Sequence, residues 1–202
     1  MEHPTIDPLW DAPPRERLIT MPRALPERTL GLQAAAWMID NLKQPNGPQA
    51  GKSFTPTPQQ IEFLMHLYAL NSDGSWVYNW AVRRLAKGSG KSPFAAALSM
   101  FELLGPCRFD RWDNQSPFGV EGKTMPMAWI QVVATSEQQT KNTMRMVRAF
   151  AAKDSYLAKK YGLTTGKTFL DSISGDQLEQ KAASFRSLEG GETSFTVCDE
   201  LE

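Results

Sequence analysis

Apolar residues recur every three or four positions in four segments of the chain, which is the spacing of an amphipathic helix. These segments lie at about residues 30–42, 55–70, 93–105 and 136–162. Gly105 and Pro106 are expected to end the third helix. In the second, Thr57 stands before a proline and three residues before Gln60, a pattern that predicts an N-terminal capping box.

Shorter segments rich in β-branched and aromatic residues predict strands. They lie at 76–86, 128–135, 167–174, 183–188 and 194–200. The last of these is expected to be buried, with Cys198 as a small apolar residue inside it. Residues 105–127 are expected to form one long connection. Because helices alternate with strands, the pattern predicts an α/β fold with a mostly parallel sheet and right-handed crossovers.

Proline is concentrated at the start of the chain, where eight of the fourteen prolines fall within residues 1–50. Such a density is typical of an arm rather than a packed core. The predicted organisation is therefore an N-terminal arm with one helix over residues 1–50, followed by one α/β core over residues 51–202.

Composition narrows the functional classes. The 22 basic and 22 acidic residues cancel, so the net charge gives no support for a nucleic-acid partner. Two distant cysteines and two histidines suggest neither a zinc site nor a disulfide framework. No apolar run approaches the length of a membrane span and the N-terminus lacks a signal-peptide core, so a cytoplasmic protein without a membrane partner is expected.

The segment GSGKS follows a predicted strand and opens a predicted helix, which is the context of a phosphate-binding loop. The usual first glycine of that motif is replaced by Leu85. Backbone N–H groups of the loop would face the phosphates of ATP, Lys91 would reach the β- and γ-phosphates, and the Ser92 hydroxyl would bind Mg²⁺. The expected phosphate-binding residues are Lys87, Gly88, Ser89, Gly90, Lys91 and Ser92. The alternative is an ordinary strand–helix turn with a solvated lysine.

Two consecutive acids, Asp199 and Glu200, end the last predicted strand. Carboxylates at the carboxyl end of a strand lie at the edge where α/β sheets bind ligands. Asp199 is expected to hold Mg²⁺, and Glu200 is expected to polarise the attacking water. Taken alone, the pair is equally typical of a solvated strand end; together with the loop it favours a nucleotide hydrolase.

These motifs resemble the large terminase subunit of tailed bacteriophages, the ATPase of the DNA-packaging motor. RRLAKGSGKSPFAAALSMFELLGP is similar to its divergent Walker A motif and following helix, and SLEGGETSFTVCDE is similar to the approach to its Walker B motif. The resemblance implies a P-loop NTPase fold of the ASCE type. It also implies that Gln60, or else Gln59, contacts adenine, and that Lys91 and Glu200 are catalytic.

The resemblance further implies the partners of a packaging motor: double-stranded DNA, a portal protein and a small terminase subunit, with the chain in a homo-oligomeric ring. The motor would act in the host cytoplasm at the procapsid portal. Lys87 departs from the family, which commonly has an arginine there; lysine lacks the planar guanidinium fork. The family's nuclease domain is not expected within these 202 residues.

Two other functions fit the same sequence features. One is a helicase-like, DNA-remodelling ATPase, and the other is a nucleotide-binding assembly module that does not hydrolyse ATP. The 202-residue chain by itself is expected to be mainly monomeric, to bind nucleotide weakly at best and to show little or no ATPase activity.

Overall fold

Helices and strands occur in groups rather than in alternation in the computed structural model, which describes residues 24–86, 88–134, 137–182 and 192–199. The helices are α1 (Gly31–Asn41), α2 (Pro58–Leu67), α3 (Lys91–Leu104), α4 (Glu137–Phe150) and α5 (Tyr156–Tyr161). The strands are β1 (Arg108–Trp112), β2 (Val120–Lys123), β3 (Trp129–Ala134), β4 (Thr164–Thr165), β5 (Phe169–Asp171), β6 (Gln177–Ala182) and β7 (Phe195–Cys198). None of the helices in these ranges is long and apolar enough to cross a membrane.

The main sheet has the strand order β4-β5-β6-β3-β7 and is mixed. Strand β3 pairs in parallel with both β6 and β7, whereas β5 is antiparallel to β4 and to β6. The expectation of a mostly parallel sheet therefore describes only the β6-β3-β7 part. The short links at 166–168 and 172–176 can join only antiparallel neighbours, because a parallel crossover needs a dozen or more residues.

A local signal in the sequence accounts for the start of α2. Thr57 caps α2: its Oγ1 accepts from the Gln60 amide at 3.3 Å, and the Gln60 Oε1 accepts from the Thr57 amide at 2.8 Å. The predicted capping box is thus confirmed.

In α1, Gly31 lies against the backbone of α2, and a Cβ on it would lie 2.4 Å from the Leu64 carbonyl oxygen. Glycine lets the two helices approach this closely.

Helices α3 and α4 pack against each other and against the sheet, while α1 and α2 pack on each other and α1 also contacts α3. Their apolar faces share one core, whose largest fully enclosed side chains include Leu30, Met38, Leu64, Phe101, Met144 and Ile130. The helix predicted in the N-terminal arm is part of this core, because one face of α1 is fully covered.

A buried carboxylate, Glu102, connects several of these elements near the end of α3. It is 1% exposed, and its two oxygens accept from the Tyr68 hydroxyl at 2.5 Å and from Arg108 Nη1 at 2.7 Å. Arg108 Nη2 also donates to the Ser194 carbonyl at 3.0 Å, just before β7. Burial raises the pKa of Glu102, and the Arg108 guanidinium opposes that shift.

Residues 76–86 do not form the predicted strand. Trp76 makes a single bridge to Leu70, and the rest is irregular and largely open to solvent, with Trp80 69% and Val82 76% exposed. Aromatic and β-branched composition favours a strand only where a partner supplies the hydrogen-bond ladder. No strand of the described ranges pairs with this segment.

The predicted buried strand at the end of the chain is present as β7, but it lies at the edge of the described sheet. Phe195 and Val197 are half-buried, while Thr196 and Cys198 are exposed. The expectation of a buried Cys198 is therefore wrong. Alternation leaves every second residue on the face that α3 does not cover.

Three further boundaries differ from the sequence prediction. Residues 105–127 contain the β1–β2 hairpin, whose charged sequences give little apolar pattern. The fourth predicted helix is two helices, because Ser155 caps a new one by accepting from the Ala158 amide at 3.1 Å. Strand β6 was not predicted, and the strand predicted at 183–188 lies outside the described residues.

Replacing Gly31 with alanine tests the close contact between α1 and α2. Alanine improves helix propensity by about 1 kcal/mol. The new methyl group overlaps backbone atoms of α2, however, so a net loss of roughly 1–3 kcal/mol in the free energy of unfolding is expected. Urea unfolding measures the change, with Asp40→Ala at an exposed position of α1 as the control. A Gly31→Ala protein as stable as the control would contradict this packing.

Replacing Tyr68 with phenylalanine tests the Glu102 cluster by removing one hydroxyl. The buried carboxylate loses a donor, which should lower the free energy of unfolding by about 1–3 kcal/mol. Tyr78→Phe removes the same atom from a tyrosine that is 42% exposed, and it should change stability by less than about 0.5 kcal/mol. Equal effects of the two substitutions would show that the hydrogen bond to Glu102 contributes nothing specific.

Candidate nucleotide-binding site

The glycine-rich loop has the backbone conformation that its sequence requires. Gly88 and Gly90 have φ values of 84° and 78°, in the left-handed region that side chains other than hydrogen disfavour. Gly90 is the N-cap of α3, has no side-chain cap, and is followed by a first turn without acidic residues. The N-terminal end of α3 thus carries the positive end of a helix dipole with no carboxylate of its own first turn to offset it.

The loop is open to solvent. A Cβ placed on Gly88 or Gly90 would meet no atom within 4 Å, so a group the size of a phosphate can approach the backbone. The Ser89 hydroxyl donates a hydrogen bond to the Ala86 carbonyl at 2.8 Å, which holds its side chain against the segment before the loop. Lys87 lies outside the described residues.

Lys91 is the first residue of α3, and its ammonium group reaches back to the chain that precedes the loop. Its Nζ donates to the Leu85 carbonyl at 3.1 Å. An ammonium group carries three donors and no acceptor. Ser92 follows in the first turn of α3 and is half-buried.

The direction of α3 places the loop relative to the sheet. The C-terminal part of α3 carries Glu102, which Arg108 connects to Ser194 at the amino end of β7. A 14-residue helix rises about 20 Å, which is about the length of a six-residue strand such as β3. Since α3 packs along β3 and β7, its N-terminal end lies towards the carboxyl edge of the parallel strands.

Asp199 lies at that same edge, immediately after β7. Its amide donates to the Val133 carbonyl at 2.8 Å, so its backbone continues the parallel ladder past the end of the strand. Its carboxylate oxygen Oδ2 accepts from the Thr143 hydroxyl of α4 at 2.5 Å. Glu200, the second predicted acid, lies outside the described residues.

Thr143 is the residue of this site that the sequence analysis missed. Thr140, Thr143, Met144 and Val147 follow helical spacing, and all four are fully buried on α4. Hydroxyl groups on the buried face of a helix need hydrogen-bond partners. That pattern is the signal that could have drawn attention to Thr143, although it does not identify the partner.

The helix that carries the predicted adenine contacts lies beside the loop. The ring of Phe63 on α2 lies 5.9 Å from that of Phe94 in the first turn of α3, and the Arg83 guanidinium lies over both rings. Arg83 Nη1 is enclosed without a hydrogen-bond partner among the described residues. Gln60 is buried with its carbonyl oxygen used in the capping box, whereas Gln59 is exposed.

The Ser92 and Asp199 side chains suit a Mg²⁺ ion that is bound together with a nucleotide. The Ser92 hydroxyl and the Asp199 carboxylate are hard oxygen donors of the kind that Mg²⁺ prefers. Within the described ranges, no group of three or more His, Cys, Asp or Glu residues could hold a metal ion. Such a site fits Mg²⁺ bound largely through phosphate and water oxygens, with one or two protein ligands.

No protein-family model matches the chain. Two curated phage proteins, both named Gene 13 protein, are 33% identical to it: one from Mycobacterium phage L5 over 196 residues and one from Mycobacterium phage D29 over 195 residues. Each match covers 88% of this chain and 32% of the relative. The chain thus spans about a third of the length of the curated relatives it matches.

Among solved structures, the crystal structure of the HK97 bacteriophage large terminase resembles the chain with a TM-score of 0.61. The match covers 84% of this chain and 31% of that chain, at 16% sequence identity. At that identity the likeness concerns the fold. The chain therefore has an α/β fold with a mixed sheet, similar to part of a phage large terminase.

Proposed function

We propose that the chain is the ATP-binding and ATP-hydrolysing module of a viral DNA-packaging motor, equivalent to part of a terminase large subunit. The proposal rests on the direction of α3, which turns the glycine-rich loop towards the edge of the parallel strands where Asp199 lies. This edge is where α/β sheets bind nucleotides. The likeness to the HK97 large terminase supports the motor context, and the likeness to two phage proteins supports a viral origin.

Each predicted residue then has a chemical role. The amides of residues 88–92 and the Lys91 ammonium bind the phosphates of ATP, and Ser92 and Asp199 hold Mg²⁺ directly or through water. Bound Mg²⁺ offsets the charge that accumulates on the phosphate oxygens. Glu200 orients and polarises the attacking water, while Gln60 or Gln59 contacts adenine.

The proposed partners are those of a packaging motor: double-stranded DNA, a portal protein and a small terminase subunit, with the chain repeated in a ring in the host cytoplasm. A positive charge that stabilises the transition state would come from Lys87 or from a neighbouring subunit. Motion at the γ-phosphate would pass to DNA through α3 and α4, because these helices pack on each other and α3 begins at the loop.

Lys91→Ala tests the phosphate loop. Loss of the ammonium group should weaken Mg²⁺-ATP binding at least tenfold, because the lysine supplies the main charge that faces the phosphates. Fluorescence titration with a labelled ATP analogue measures the dissociation constant, and circular dichroism checks the fold. Lys153→Ala, at an exposed position between α4 and α5, is the matched control. An unchanged affinity in Lys91→Ala would remove the basis for the assignment.

Glu200→Gln tests hydrolysis separately from binding. In the full-length protein, the substitution should keep the affinity for ATP and slow hydrolysis by about 10²–10⁴-fold, because the amide cannot polarise water. Asp199→Asn should instead reduce the dependence of binding on Mg²⁺. If the wild-type protein binds ATP but shows no detectable hydrolysis, the non-hydrolysing assembly module is favoured.

A further inference from the structure

The contact between Thr143 and Asp199 joins residues 56 positions apart in the chain. It connects the second turn of α4 to the residue that follows β7. The Thr143 side chain is fully buried, whereas Asp199 is half-buried at the edge of the sheet. The donor is therefore enclosed by the protein, and the acceptor lies at the boundary with solvent.

Thr143 is held in place by the packing of its helix. Met144, Val147 and Phe150 are all buried on the same helix, and α4 packs against α3, β3 and β6. A threonine in a helix has few side-chain conformations available. Many helical threonines donate to the carbonyl one turn earlier, but this hydroxyl donates to a carboxylate on a different element.

Asp199 is thereby held at two points. Its amide donates to Val133 on the neighbouring strand, and its Oδ2 accepts from Thr143. Within the described ranges, the second oxygen, Oδ1, accepts no hydrogen bond. A carboxylate fixed in this way presents one defined oxygen at the edge of the sheet instead of rotating freely.

We propose that Thr143 is a positioning residue that orients the Asp199 carboxylate for Mg²⁺ bound with the nucleotide. This inference rests on the proposed function and adds a residue to it. Thr143 itself does not contact the metal or the substrate; it acts by fixing Asp199. Because α4 also packs on α3, one helix sets the position of the carboxylate relative to the phosphate loop.

The test compares two substitutions of Thr143, one that removes the hydroxyl and one that keeps it. Thr143→Val keeps the shape and removes the hydroxyl, whereas Thr143→Ser keeps the hydroxyl. The measurement is the Mg²⁺ concentration that gives half-maximal binding of a non-hydrolysable ATP analogue. Thr143→Val should raise it about tenfold, as expected for loss of a residue that orients a metal ligand, and Thr143→Ser should stay within about threefold of the wild type.

Binding of the analogue in EDTA separates this role from a general structural one. Without metal, Thr143→Val and the wild type should bind equally, because the phosphate loop is untouched. Thr164→Val, at an exposed position of β4, is the control for loss of a threonine hydroxyl and should change neither measurement. If both residues act through one carboxylate, adding Thr143→Val to Asp199→Asn should not change the Mg²⁺ concentration for half-maximal binding any further.

The outcomes distinguish the two proposals. If Lys91→Ala binds the analogue like the wild type, the proposed function fails whatever Thr143 does. If Lys91→Ala loses binding but Thr143→Val keeps the wild-type Mg²⁺ dependence, only the role of Thr143 is overturned. Equal impairment of the Val and Ser variants also overturns it, since the hydroxyl retained in serine would then fail to preserve the Mg²⁺ dependence. Should Thr143→Val not fold, Thr143→Ala is compared with Thr143→Ser in the same way.

Discussion

The hydrogen bonds of the buried Glu102 carboxylate determine how α2, α3, β1 and β7 are arranged. Removing a carboxylate from water carries a large free-energy cost, which only close donors can offset. Tyr68 and Arg108 supply those donors at 2.5 and 2.7 Å, and Arg108 extends the link to the carbonyl of Ser194. The end of α2, the end of α3, the start of β1 and the start of β7 are thereby brought to one point.

This constraint at one end of α3 determines what its other end can do. With its C-terminal part held at the amino end of β7, the helix runs back along the parallel strands, and its N-terminal end points towards their carboxyl edge. Gly88 and Gly90 lie just before that end with the left-handed backbone that only glycine adopts readily. A structural cluster at the amino ends of the parallel strands thus orients a candidate phosphate loop towards their carboxyl ends.

At the carboxyl edge of the parallel strands, Asp199 is held in place, whereas the glycine-rich loop is open to solvent. Asp199 is fixed by a backbone hydrogen bond to Val133 and by the Thr143 hydroxyl, while the loop has open space in front of its glycines. Residues 77–86, which lead into the loop, have no strand partner in the described ranges and are held by the aromatic contacts of Arg83 and by Lys91. The proposed site therefore combines a carboxylate held in place with a loop whose preceding segment is held by side-chain contacts.

The sequence by itself determined the features that depend on neighbouring residues. The capping box of Thr57 and Gln60, the glycines before Lys91 and strand β3 with its apolar run are local patterns, and they appear where the sequence predicts them. Tertiary structure alone decided which segments pair: 76–86 stays out of the sheet, β1 and β2 pair despite charged sequences, and β7 lies at an edge. It also decided that Thr143 meets Asp199, because a hydrogen bond across 56 residues follows from how α4 packs and not from either residue's surroundings in the chain. Local propensity specifies elements, but strand pairing and side-chain contacts depend on partners distant in sequence.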